Sequence, residues 1–307
     1  MIRRRNESSR ESRQKGRQVS LVIAVYNQSE YLRKALLAAR RSQHALHEII
    51  VTDDGSSEDI LGLVEQASHG FQCKLTYIRQ ADRGFRLAKC KNNAIRASSG
   101  EYLVFVDQDI VYTDGYLQCF VDHQMEGQFL VAYPIRLSET QSEELTDEMI
   151  ETGSYARILS SWQIRWVRRQ YYLDSWAYYR RKIIGFGHKP KLRGGVFGAF
   201  RGDLMRVDGF DENYQGWGNE DDDLGRRLYR IGVCGRTVFY DDFPIHMYHP
   251  PYRVQGQRAN KPYFRRRLAE IKKGDVKAAR GVSAPFGGES LDIVRFDPTD
   301  GKTALSS

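Results

Sequence analysis

The chain has 307 residues, 41% of them hydrophobic, enough for one large domain or two small ones with a substantial buried core. Its formal charge is +8, but residues 1–18 carry seven basic against two acidic side chains, a net of +5 that leaves only +3 for the rest. The body is therefore not basic enough for nucleic acid to be the expected partner, four scattered cysteines give neither a zinc site nor a disulfide framework, and no apolar run approaches the ~18 residues of a membrane span.

The first 18 residues hold almost no apolar side chains and read as a basic disordered arm, able to touch anionic lipid. With no apolar signal region at the start, the expected location is cytoplasmic, with room for peripheral contact at the inner face of the membrane. Residues 19–26 form an unbroken apolar run, as in a strand buried on both faces. Asn27 with Glu30 is suited to cap the next helix, whose stripe is Leu32, Ala35, Leu36 and Ala39. A second strand over 48–52 runs into Asp53-Asp54-Gly55-Ser56, and Ser56 with Asp59 is placed to open a second helix. Strands over 74–78 and 101–106 flank a helix over 87–97, and the last strand ends at Asp107-Gln108-Asp109. Strands alternating with helices predict a parallel α/β sheet with right-handed crossovers, and ligands of such sheets bind at the carboxyl ends of the strands. Tyr26-Asn27, Asp53-Asp54 and Asp107-Gln108-Asp109 all fall at those ends, a polar edge suited to a nucleotide.

The second half is less regular. A strand is expected over 129–133. An acidic helix start follows, then a stretch rich in aromatics and arginine that includes Trp162, Trp166, Trp176 and Tyr178. It reads either as helices packed on the sheet or as a lid over an acceptor. Gly194-Gly195-Val196-Phe197-Gly198 permits close approach of backbone to a ligand. Gly216-Trp217-Gly218-Asn219 then leads into Glu220-Asp221-Asp222-Asp223, which opens an amphipathic helix with Leu224, Leu228 and Ile231 on one face. His246 and His249 follow a last apolar stretch. The expected organisation is an arm (1–18), a nucleotide-sugar-binding half (19–135), an acceptor-binding and catalytic half of the same domain (136–275) and a flexible tail (276–307).

Carboxylates at a strand end, a late histidine and an acid cluster are what sugar transfer from a nucleoside diphosphate requires. The departing diphosphate gathers charge that Mn2+ or Mg2+ neutralises, and one Asp with one His suits such an ion. Asp109 and His249 are the expected ligands; His246 is the competing histidine, or a core residue paired with backbone. Asp107 is then free to meet the ribose or donor sugar. Asp221 is the expected base for the acceptor hydroxyl, Glu220 a holder of another acceptor hydroxyl, and Trp217 beside Gly218 a stacking face. Asp222 and Asp223 read as solvated acids of the first helical turn.

Val22-Ile23-Ala24-Val25-Tyr26-Asn27, Asp53-Asp54-Gly55-Ser56, Asp107-Gln108-Asp109 and the 217–223 segment together resemble family 2 glycosyltransferases of the GT-A fold. The similarity is closer to the chondroitin-polymerase type through Gly84-Phe85-Arg86-Leu87, Lys91-Asn92 and Tyr248-His249-Pro250-Pro251, whereas Gly216 to Asp223 is similar to β-1,4-galactosyltransferases. The resemblance implies a Rossmann-like sheet flanked by helices with a C-terminal acceptor-binding region. It implies a donor site of Tyr26, Asn27, Asp53, Asp54, Gly84, Arg86, Lys91, Asp107 and Gln108, with Asp53 and Asp54 at the uracil or ribose. It further implies a metal site completed by His249, and inverting transfer from a UDP-sugar to a glycan, glycolipid or glycopeptide, with Asp221 as base. Lys91 departs from the arginine common at that place, and the chain has room for one transferase domain where polymerases carry two. Two other readings are a retaining transferase of the same fold and a non-catalytic carbohydrate- or nucleotide-binding module.

Overall fold

In the computed structural model, residues 18–185, 187–250, 259–285, 290–299 and 301–306 are described; residues 1–17 of the basic arm lie outside them. Strand β1 (Val19–Val25) is buried at every position, as its apolar run demands. It is followed by α1 (Ser29–Arg41), β2 (Glu48–Asp53), α2 (Ile60–Ser68), β3 (Lys74–Arg79), α3 (Leu87–Ala97) and β4 (Tyr102–Asp107). The order β3-β2-β1-β4 is parallel throughout. Val25 pairs with Asp53 and Ala24 with Asp107, so the three polar strand ends stand level at one edge.

The chain then leaves the parallel pattern. Strands β5 (Ile110–Val111), β6 (Gln128–Val131), β7 (Ile135–Arg136), β8 (Val196–Phe200), β9 (Cys234–Arg236) and β10 (Ile245–His246) follow. Among the described residues β8 runs antiparallel to β4, β6 antiparallel to β8, and β9 parallel to β6. A second, small sheet has the order β5-β10-β7. This half also carries helix α4 (Ser161–Ile184), helix α5 (Glu220–Arg230) and helix α6 (Lys261–Lys273), besides shorter helices. Apolar side chains fill both faces of the main sheet: Leu21, Ile23 and Val104 on one, Val22, Phe105, Leu224 and Leu228 on the other.

Three local expectations change. Asn27 does not cap α1; it takes a left-handed conformation (φ 53°), and its side-chain Oδ1 accepts from Ser57 N–H and Glu58 N–H. The cap comes from the opposite loop, where the Glu58 carboxylate accepts from Gln28 N–H and Ser29 N–H, both at 2.8 Å. Asp59 caps α2 as expected, while the Ser56 hydroxyl turns back to Asp53. Finally, the 276–307 segment, expected as a flexible tail, holds β11 (Asp292–Asp297) and β12 (Gly301–Ser306). This antiparallel pair extends the sheet beyond β3, with Val294 and Phe296 buried.

Candidate active site

Gln108 ties the ends of β1 and β4 together: its carbonyl accepts from Tyr26 N–H (2.9 Å) and its amide donates to Gln28 Oε1 (2.8 Å). Asp54 is buried, accepting from Arg86 N–H and from the Gln80 amide, and burial pushes its carboxyl up to about 6. Asp53 does not reach the cleft. One of its oxygens accepts from Gly55 N–H, Ser56 N–H and the Ser56 hydroxyl, the other from the Tyr77 hydroxyl, and its side chain has no exposure. Four donors on one carboxylate make it the anchor of the 53–56 turn, which corrects the donor-contact role. Gly84, at φ 79°, lets the 82–86 loop turn so that Arg86 meets Asp54.

The small sheet carries out a convergence that no local pattern announces. His246 pairs with Ile110, and Met247 N–H donates to Asp109 C=O at 2.9 Å. The Asp109 carboxylate consequently lies 3.1 Å from His249 Nε2 and 3.3 Å from His246 Nε2. All three ligand atoms fall within 4.8 Å of one another. Each ring's Nδ1 is held by a backbone carbonyl, His246 by Met247 and His249 by Pro250. A ring donating from Nδ1 turns the Nε2 lone pair toward Asp109, the tautomer that ligates a cation. The second carboxylate oxygen of Asp109 is buried with no partner. One carboxylate and two imidazoles suit a divalent ion such as Mn2+. The sequence expectation left His246 open; the structure brings its Nε2 into the same cluster as Asp109 and His249.

A second carboxylate group surrounds a buried ammonium. Lys91, 1% exposed, donates to Gly194 C=O (2.9 Å) and pairs with Asp107 (3.2 Å). Asp221 accepts from Gly194 N–H at 2.8 Å, while its other oxygen is buried without a partner. The glycine pair is explained by sterics: a Cβ on Gly194 would sit 2.0 Å from Asp221 Oδ1, and one on Gly195 would sit 2.2 Å from Asp107 Oδ2. The turn before β8 thus makes room for two carboxylates, a role the sequence reading gave to a ligand. Burial raises Asp221, and Lys91 opposes that rise. Burial pulls Lys91 down, but Asp107, Asp221 and Glu220 together hold it above its ordinary value. Glu220 is pushed up to about 8, by burial first and the Asp221 charge second, and one of its oxygens has no partner.

The Glu220 shift has a sign that can be checked. A carboxyl raised in the fold and ordinary when unfolded favours the folded state most below about pH 4, and that support is lost as pH climbs toward about 8. Glu220→Gln, which keeps the neutral form's shape, should therefore melt at a higher temperature than the wild type at pH 9 and lose that advantage at pH 5. Equal offsets at both pH values in thermal scans would remove the raised carboxyl from the account.

Trp217 stands 59% exposed between Gly216 (φ 75°) and Gly218 (φ 98°), an open indole beside the acid cluster. Gly218 C=O is held by the Asn260 amide. Asp222 behaves as expected, paired with Lys191 at the surface. Asp223 does not: it is fully buried, bonded to Arg227 at 2.6 Å and to the Tyr214 hydroxyl at 3.2 Å. Its position on the inward face of α5, one residue before Leu224, forces that burial, and the i,i+4 arginine answers the charge. Of the aromatic stretch, Val167, Ala177 and Tyr178 pack inward as the packing reading expects, Trp166 lies edge-on to Tyr133, and Trp162 and Trp176 face outward.

With this geometry in hand, the comparisons with known proteins are specific. The profile of glycosyl transferase family 2 matches residues 20–187, and that of the N-terminal domain of galactosyltransferase matches 186–250. Chondroitin synthase of Escherichia coli is 26% identical over 292 residues, covering 86% of this chain and 41% of that protein, so the chain spans less than half of that relative's length. A Pyrobaculum calidifontis mannosyltransferase solved with GDP-Man and Mn2+ superposes with a TM-score of 0.53 at 15% identity, covering 84% of this chain and 64% of that one. The 1–349 fragment of S. aureus TarS with UDP-GlcNAc gives 0.55 at 14% identity, covering 87% and 68%. At such identities the two structures speak for a shared GT-A fold.

Proposed function

The chain belongs to glycosyl transferase family 2, and on that footing we propose that it moves a sugar from a UDP-sugar to a hydroxyl of a glycan or glycoconjugate, with inversion, in the presence of Mn2+ or Mg2+. The observation that carries the reading is the convergence of Asp109, His246 and His249 at the same sheet edge as Asp107 and Asp221. A bound divalent ion supplies neutralising charge to the departing diphosphate. Asp109, His246 and His249 would hold it. Asp107, held by Lys91 and 39% exposed, remains available to the donor's ribose or sugar. Asp221 receives the acceptor's proton, and Lys91 beside it opposes the rise that burial gives its carboxyl. Glu220, protonated near neutral pH, can donate to a second acceptor oxygen, and Trp217 offers its indole to a sugar ring.

The test is calorimetry of UDP binding with and without Mn2+. UDP affinity in the wild type should rise with the metal, and the double variant Asp109→Asn/His249→Ala should lose that metal-dependent part, on the order of 10- to 100-fold in affinity. UDP binding indifferent to Mn2+ and EDTA would remove the metal assignment. A chain that binds UDP with metal yet transfers no sugar from any of a panel of UDP-sugars would stand as a binding module.

A further inference from the structure

Helix α4 presents a face that the described residues leave uncovered. Its buried positions, Val167, Asp174, Ala177 and Tyr178, point inward. Trp162, Leu173, Trp176 and Ile183 lie on the other side, 66, 45, 63 and 83% exposed. At 3.6 residues per turn these four and Arg165, Arg169 and Arg180 share an arc of about 100°. The 24 residues give a stripe about 36 Å long. Four large apolar side chains exposed together on one helix face, interleaved with arginines, mark a place of contact.

We propose that this face docks the protein onto an anionic lipid surface. The charges on it are all positive, because the helix's one acidic residue, Asp174, is buried. Arg180 lies over the Trp176 indole, 5.0 Å from the ring centroid, pairing an apolar body with a cationic tip as interfacial side chains do. A second copy of the chain does not fit as the occupant, since antiparallel α4 helices would set arginine against arginine with no exposed acid on either helix to answer. A polyanionic glycan would match the arginines but offers nothing to Leu173 and Ile183, which gain only from hydrocarbon. The docking stands apart from the transferase reading and survives its failure.

The test is co-sedimentation of the full chain with vesicles of equimolar phosphatidylcholine and phosphatidylglycerol, against phosphatidylcholine alone. The wild type should partition to the anionic vesicles, less so at high salt. The variant Trp162→Ser/Trp176→Ser/Ile183→Ser should partition roughly 10-fold less or weaker, and Arg165→Glu/Arg169→Glu/Arg180→Glu should fall at least as far, both with unchanged melting temperatures. Brominated lipid should quench the wild type's tryptophan fluorescence, a readout that needs no variant. The proposal is overturned if the wild type ignores anionic vesicles, if the serine variant binds as the wild type does (binding then belongs to the basic arm), if brominated lipid quenches nothing, or if heparin retains the protein and vesicles do not.

Discussion

Asp221→Asn should lower the rate of sugar transfer by about 1,000-fold while leaving Mn2+-dependent UDP affinity unchanged. The substitution is chosen for its small geometric cost. The asparagine carbonyl can still accept from Gly194 N–H, so the strand and the start of α5 keep their contact. What disappears is the basic lone pair on the oxygen that has no partner in the fold. The same assignment fixes the pH behaviour of the wild type. The base must be ionised to work, burial lifts its carboxyl above the ordinary aspartate range and Lys91 limits the lift, so transfer should fall as pH drops through that raised value. Proton NMR of the product's anomeric H1 supplies an independent check, because a single displacement inverts the configuration at C1. Transfer within about 10-fold of the wild type in Asp221→Asn, or a product with the donor's own configuration, removes Asp221 from the role of base. A parallel loss of UDP affinity would make it a donor contact instead.

The parts of this site legible from sequence are those with a periodic or terminal signal. The unbroken apolar runs of β1 and β4 mark strands buried on both faces, and their polar ends then fall at the ligand edge by topology alone. The apolar stripe of α5 identifies a helix start at Glu220. The join between Asp109 and the two histidines is another matter. It depends on β5 and β10, each two residues long, whose pairing brings together positions more than 130 apart. A two-residue strand has no period to detect. The glycine pair is similar: Gly194 and Gly195 are visible as glycines, but what they make room for comes from Asp221 and Asp107 on other elements.

Other misses had a signal that went unused. Residues 293–296 are rich in β-formers, with Val294 and Phe296 on one face separated by Arg295, and the sequence Pro-Thr-Asp-Gly follows them; that is a hairpin pattern inside a segment whose composition suggested a tail. Asp223 and Arg227, four apart beside Leu224 and Leu228, sit on the inward face of α5, where an acid needs a partner more than a dipole. Asp53 shows the limit of motif transfer: adjacent carboxylates at a strand end diverge, Asp53 onto its own turn and Tyr77, Asp54 onto Arg86 N–H and the Gln80 amide.

Lys91→Met should destabilise the fold at pH 7 by about 3 kcal/mol, near the lower end of what breaking a buried ion pair costs, because the Asp107 side chain is 39% exposed and water takes up part of the loss. The ammonium is the shared counter-charge of Asp107, Asp221 and Glu220, and methionine fills its volume without its charge. Three acidic groups would then face one another around Gly194, two of them desolvated. The direction with pH follows. Without Lys91 the Asp221 and Glu220 carboxyls titrate higher still, so the folded variant binds more protons than its unfolded chain over a wider range, and its deficit relative to the wild type should shrink as pH is lowered from 7 toward 5. Chemical denaturation at both pH values measures this. A deficit that stays constant, or grows in acid, would mean that Lys91 acts by filling space. Transfer should suffer as well, since Asp221 without its cation spends more of its time protonated, and raising the pH should restore part of it. That recovery separates an electrostatic loss from a collapsed site, and it follows only if the buried lysine keeps the base ionised.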